Sequence, residues 1–249
     1  MHLKIHVSIE HLSSVEGIWC REKKAIVLSS LRPAGRRAFT CAHELGHWHF
    51  DHGTRADELV STRTPDRNQP EENAANQFAG HLLMPPCGVA STLETRKWSP
   101  SKLTAVQAYA LASYFGVSYA GFLGHMCYAL RSLEQSAFEK LSEVEPKDLR
   151  KHLCPELSAP NLIVVDEHWL SRPIDLEVGD ALMFPSGAID SAGLIECRSR
   201  NSGVASAAGV SQLTNLSSGR TPLIRVAESG FRGYAQFRYP THNNVYSDS

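Results

Sequence analysis

The sequence predicts an α+β fold: a helix-rich domain over residues 1–150, with a trailing helical subdomain at about 101–140, followed by a small mainly-β domain over residues 151–249. Three observations predict it. Four segments between residues 36 and 133 read as helices. Beyond residue 160 the texture changes to short apolar runs separated by Gly, Ser, Asn and Pro, the pattern of strands and turns. Between the two, residues 142–160 hold Pro146, Pro155, Pro160 and a charge cluster, and read as a linker. The length of 249 residues fits one large or two small domains at about 150 residues each, enough to bury a core without staples.

Element by element, residues 17–20 and 25–28 read as two short strands around the polar turn Arg21-Glu22-Lys23-Lys24. Residues 36–51 read as a helix, with Gly53 as its C-terminal signal. Residues 54–70, with Thr, Asp, Asn, Arg and two prolines, read as an exposed loop. A second helix is expected over residues 71–84, stopped by Pro85-Pro86, and two more over 101–115 and 120–133, joined at Gly116-Val117-Ser118. Strands are expected at residues 162–165, 180–184, 193–197, 223–226 and 234–239. No lysine follows Lys151, and the formal charge falls from +2 over residues 1–153 to −3 beyond. No internal repeat is found.

Composition excludes several classes. Hydrophobic residues at 42% and charged residues at 20% are ordinary globular usage. A net charge of −1 argues against a chain that coats nucleic acid. The six cysteines are scattered, with no C-x-x-C pair, and read as reduced thiols rather than a secreted disulfide framework. Met1-His2-Leu3-Lys4-Ile5 shows no apolar signal region, so a cytoplasmic location is expected. Residues 103–130 lack Asp, Glu, Lys and Arg, a length that could span a bilayer. Gln107, Ser113, Tyr114, Ser118, Tyr119 and His125 within it fit buried soluble helices better, so no membrane partner is expected. Residues 110–118 read like the first half of a helix-turn-helix. The helix that follows, residues 119–127, contains no Arg or Lys, so packing helices are expected and direct nucleic-acid contact is not. Cys41 and Cys87 are read as buried small hydrophobes.

The unusual number is 12 histidines. His43-Glu44-Leu45-Gly46-His47 is an H-E-x-x-H motif on an expected helix. Residues at i and i+4 share a face, so His43 and His47 can aim both imidazoles at one zinc ion. Glu44, one step round, can reach a water there as general base without ligating the ion. Chance gives roughly 0.04 such motifs in a chain of this composition, so a site is favoured over a His-bearing surface helix. A third protein ligand is needed. His49 and His52 miss the H-E-x-x-H-x-x-G-x-x-H spacing, whose final position here is Gly53, and read as helix-end residues. Glu72, opening a second helix 25 residues past His47, is the favoured ligand, with Glu71 as competitor about 100° away. Asn76, at i+4 from Glu72, shares its face and could hydrogen-bond a ligand imidazole.

The strings Arg37-Ala38-Phe39-Thr40-Cys41-Ala42-His43-Glu44-Leu45-Gly46-His47 and Glu72-Asn73-Ala74-Ala75-Asn76-Gln77-Phe78-Ala79-Gly80-His81-Leu82-Leu83-Met84-Pro85 together resemble the ImmA/IrrE family of metallopeptidases. The second string looks like that family's E-x-x-A-N-x-F-A-x-x-L-L-M-P signature. The resemblance is close over residues 36–85, loose over 15–133 and absent beyond 150. It implies a zincin-like α+β catalytic domain, zinc held by His43, His47 and Glu72, Glu44 as base, and Asn76 beside a ligand. It also implies a protein substrate: a helix-turn-helix transcriptional repressor or an antitoxin, cut in a stress, phage or mobile-element response. The resemblance does not identify a transition-state stabiliser; Tyr109, Tyr114, Tyr119 and His81 are the candidates. The alternative function is a zinc-stabilised module that sequesters a regulatory partner without cutting it.

Overall fold

The computed structural model describes residues 3–58, 69–155, 159–169, 172–184, 195–199, 204–207, 211–213 and 224–239. In chain order the elements are β1 (His6–Glu10), β2 (Val15–Cys20), β3 (Ala25–Ser29), α1 (Ala34–His49), β4 (Arg55–Glu58), α2 (Pro70–Leu83), α3 (Pro86–Thr95), α4 (Ala105–Phe115), α5 (Tyr119–Gly124), α6 (Gln135–Ser142) and α7 (Pro146–Leu153). There follow β5 (Leu162–Val164), β6 (Ile174–Glu177), β7 (Ala181–Met183), β8 (Ile195–Ser199), β9 (Val204–Ala207), β10 (Ser211–Leu213), β11 (Ile224–Ala227) and β12 (Gly233–Tyr234). The α+β class holds: helices dominate the N-terminal part and strands the C-terminal part. No helix among the described residues is long and apolar enough to cross a membrane.

The chain divides into two units, Met1–Val144 with Arg232–Ala235, and Glu145–Phe231 with Gln236–Ser249. The first holds a five-stranded sheet in the order β12-β1-β3-β2-β4. β1 runs parallel to β3, and the other pairings are antiparallel. Alternation sets its inner face: Trp19, Ile26 and Leu28 are buried along β2 and β3. Ala75, Ala79 and Met84 from the α2 segment and Leu111, Phe122 and Met126 further on complete the core. Small residues let α1 and α2 approach closely. A Cβ at Gly46 would lie 3.0 Å from Ala75 Cα, and the neighbour there is backbone, which yields only if the helices part. Gly46→Val is therefore expected to cost about 1–3 kcal/mol of stability, the usual penalty of overpacking. A denaturant midpoint unchanged from the wild type would show that the crossing is looser than this.

Several elements depart from the sequence expectation, each for a local reason. α1 ends at His49 and not at 51, because Asp51 turns left-handed at φ +57° two residues before Gly53. Residues 55–58 pair with β2 within the expected loop, whereas residues 59–68 lie outside the described residues. α2 ends at Leu83, just ahead of Pro85-Pro86 as expected, but Pro86 also opens an unexpected helix, α3, in whose first turn a missing N–H costs nothing. Pro146 does the same for α7, so a helix stands in the expected linker. α4 starts at Ala105 because Thr104 and Gln107 form a reciprocal capping box, at 3.2 and 3.0 Å. The expected helix over 120–133 is the short α5 followed by one π turn, His125–Ala129. α5 buries Tyr119, Phe122 and Leu123, as a packing helix does.

In the second unit, strands form two small sheets, β5-β7-β9-β8 and β10-β11-β6. Of the strand expected at 193–197, residues 193 and 194 lie outside the described residues, as does 223. Of 234–239, only Tyr234 is strand, in β12, and residues Ala235–Phe237 form a 3-10 turn. Beyond it, Arg238 reaches Glu177 of β6 at 2.7 Å and stacks on Tyr239. Gly179, at φ +96°, and Asp180, whose carboxylate accepts from Glu177 N at 2.8 Å, make a turn.

Candidate metal centre

α1 buries an unusual stripe: Arg37, Thr40, His43, Glu44 and His47. Their 3- and 4-residue spacing puts them on one helix face, which is turned inward. Burying so many polar groups is costly unless they are hydrogen-bonded, paired or hold an ion. Thr40 and Glu44 lie against β2 at Gly17: a Cβ there would stand 2.6 Å from Glu44 Oε1 and closer still to Thr40 Cγ2. Glycine at that strand position leaves room for the carboxylate, which is fully buried.

Three side chains converge. His43 Nε2 lies 3.0 Å from His47 Nε2, and Glu72 Oε2 lies 3.2 Å from the first and 3.5 Å from the second. The three ligand atoms fall within 4.8 Å of one another. Both imidazoles are buried and Glu72 is half-buried. Glu72 enters from the first turn of α2 because Gly46 and Ala75 bring the two helices into contact. Glu71, one step round α2, is not among the three.

The outer nitrogens are engaged as well. His43 Nδ1 lies 3.0 Å from Asn76 Oδ1. An amide oxygen only accepts, so Nδ1 carries the proton and His43 Nε2 turns a lone pair toward the centre. His47 Nδ1 lies 2.8 Å from His52 Nδ1. Imidazole nitrogens and a carboxylate oxygen converging on one point form the donor set that zinc takes. Three protein ligands are the number found in catalytic zinc sites, where a fourth position serves water or substrate. The cluster thus fits a zinc ion, in the manner of a gluzincin site.

The other residues singled out in the sequence lie elsewhere. His49 stacks on Phe78, with ring centroids 5.1 Å apart. Tyr119 donates its hydroxyl to Leu141 O at 2.8 Å, and burial pushes its pKa up to about 12. Tyr114 carries the Arg96 guanidinium over its ring, and buried Tyr109 lies beside Tyr119. His81 faces His125, nine residues and roughly 13 Å along α2 from Glu72. Cys41 is half-buried, its thiol pushed up to about 11 by burial and then by the Glu44 carboxylate, which leaves it a poor nucleophile at neutral pH. Cys87, expected to be buried, is exposed, because α3 begins at Pro86 and turns it outward.

The residue that spacing arguments missed is His52, which touches the metal cluster without belonging to it. Its signal was position: it stands two residues past the last residue of the helix cap, where the chain folds back over the final turn. Among known families, the IrrE N-terminal-like domain matches residues 3–126. No curated protein matches the chain.

Proposed function

From the premise that residues 3–126 belong to the IrrE/ImmA family, we propose that the chain is a zinc-dependent endopeptidase acting on one specific protein, a helix-turn-helix repressor or an antitoxin, in the cytoplasm. The observation that carries this reading is the convergence of His43, His47 and Glu72 within 4.8 Å, on the helix that also holds Glu44. The catalytic module is assigned to residues 1–150, and residues 151–249 to a separate mainly-β domain.

In this reading His43, His47 and Glu72 hold the ion, and Asn76 orients His43. Zinc bound there would bring the pKa of a water toward neutrality and polarise the scissile carbonyl. Glu44 takes the proton of the attacking water and returns it to the leaving amine. Its burial against β2 keeps bulk water from competing for that proton.

The test is cleavage. The zinc-loaded full chain is co-expressed with each repressor and antitoxin encoded beside its gene, and the products are read by mass spectrometry. One defined cut in one of these proteins is the expected result. Intact proteins throughout, with zinc bound to the chain, would overturn the substrate assignment.

A further inference from the structure

We propose that His52 is a positioning residue of the metal centre: its Nδ1 accepts the proton of His47 Nδ1 and so holds His47 in the form whose Nε2 can ligate zinc. The inference rests on the zinc reading above.

The backbone puts His52 there. Past His49 the chain closes α1 with two bonds: Asp51 N donates to Trp48 O at 3.2 Å, and His52 N donates to His47 O at 2.9 Å. With Asp51 left-handed at φ +57°, this is a Schellman closure, in which the residue two past the cap bonds back to the last full turn. His52 is thereby seated over His47 in particular. Its half-buried ring meets the His47 ring edge-on at 5.0 Å and lies 5.7 Å from that of Phe50.

The chemistry follows from proton counting. Two ring nitrogens 2.8 Å apart share one proton. His47 Nε2 is turned toward His43 Nε2 and Glu72 Oε2, so it must be bare to bind a cation. The His47 proton then sits on Nδ1, and His52 Nδ1 accepts it. Asn76 Oδ1 does the same for His43 at 3.0 Å. Each ligand imidazole thus has its own acceptor, one supplied by α2 and one by the end of α1. Such outer partners fix ring orientation and raise ligand basicity.

The experiment is zinc affinity of the full chain, measured by competition with a chromophoric chelator. Asn places an amide oxygen close to where a histidine Nδ1 sits. Leu has similar branching and no acceptor, and Lys is polar but only donates. His52→Leu and His52→Lys are expected to weaken zinc binding about 10–100-fold, and His52→Asn to stay within a few-fold of the wild type. Wild-type affinity in His52→Leu overturns the proposal. So does equal affinity in His52→Asn and His52→Lys, a comparison that stands even if the leucine variant fails to fold. A wild-type chain that does not bind zinc overturns the metal reading itself.

Discussion

Glu44→Gln retains one zinc per chain and loses peptide cleavage by about 10²–10⁴-fold, the range that a positioned general base contributes. The substitution is close to isosteric, so the space left by Gly17 against Thr40 and Glu44 stays filled. The amide cannot take up the proton of the attacking water. An alanine at this position would be a poorer probe: it removes volume from a fully buried site, and cavity costs would mix with the chemistry. Metal content by plasma mass spectrometry and the rate of substrate loss are measured on the same preparation. A variant that still controls its partner in cells as well as the wild type would favour the sequestering module over the peptidase. A variant that loses zinc along with activity would move Glu44 from base to ligand.

How much of this was legible in the sequence can be judged residue by residue. The helices that carry the cluster were, because H-E-x-x-H imposes a face and because residues 72–85 carry a second, longer string. Position on the face also favoured Glu72 over Glu71, and it is Glu72 that joins the two imidazoles. The elements around prolines were not. Pro86 and Pro146 look like breakers in a linear reading, yet each occupies a first helical turn, where a ring fixed near φ −65° helps rather than harms. β6, β9 and β10 escaped because Ile-Asp-Leu-Glu, Val-Ala-Ser-Ala and Ser-Gln-Leu hold no run of large apolar side chains, unlike the equally short β5 and β7. His52 escaped for a subtler reason. The left-handed position that ends α1 is usually glycine, which made Gly53 the natural choice; here Asp51 takes it. Two residues of shift decide whether His52 points into solvent or folds back over His47.

His47→Ala is expected to abolish zinc binding at any concentration that saturates the wild type. Its loss should exceed the 10–100-fold that removal of an outer hydrogen-bond partner costs, because it takes away one of the three side chains that converge among the described residues. The effect also reads out as stability. Free zinc at 100 times its dissociation constant stabilises the folded chain by about 2.7 kcal/mol. For a unit of about 150 residues that raises the melting midpoint by roughly 5–11 °C. The wild type should show that rise on zinc addition and His47→Ala should show none. Because His47 is fully buried, alanine also lowers the metal-free midpoint, so the zinc-dependent difference is the quantity to compare, not the absolute temperature. Glu44→Gln supplies the control, since a base is dispensable for binding and should show the wild-type rise. A zinc-dependent rise that survives His47→Ala would remove that imidazole from the ligand set. It would also remove the reason for His43 Nε2, His47 Nε2 and Glu72 Oε2 to meet at one point.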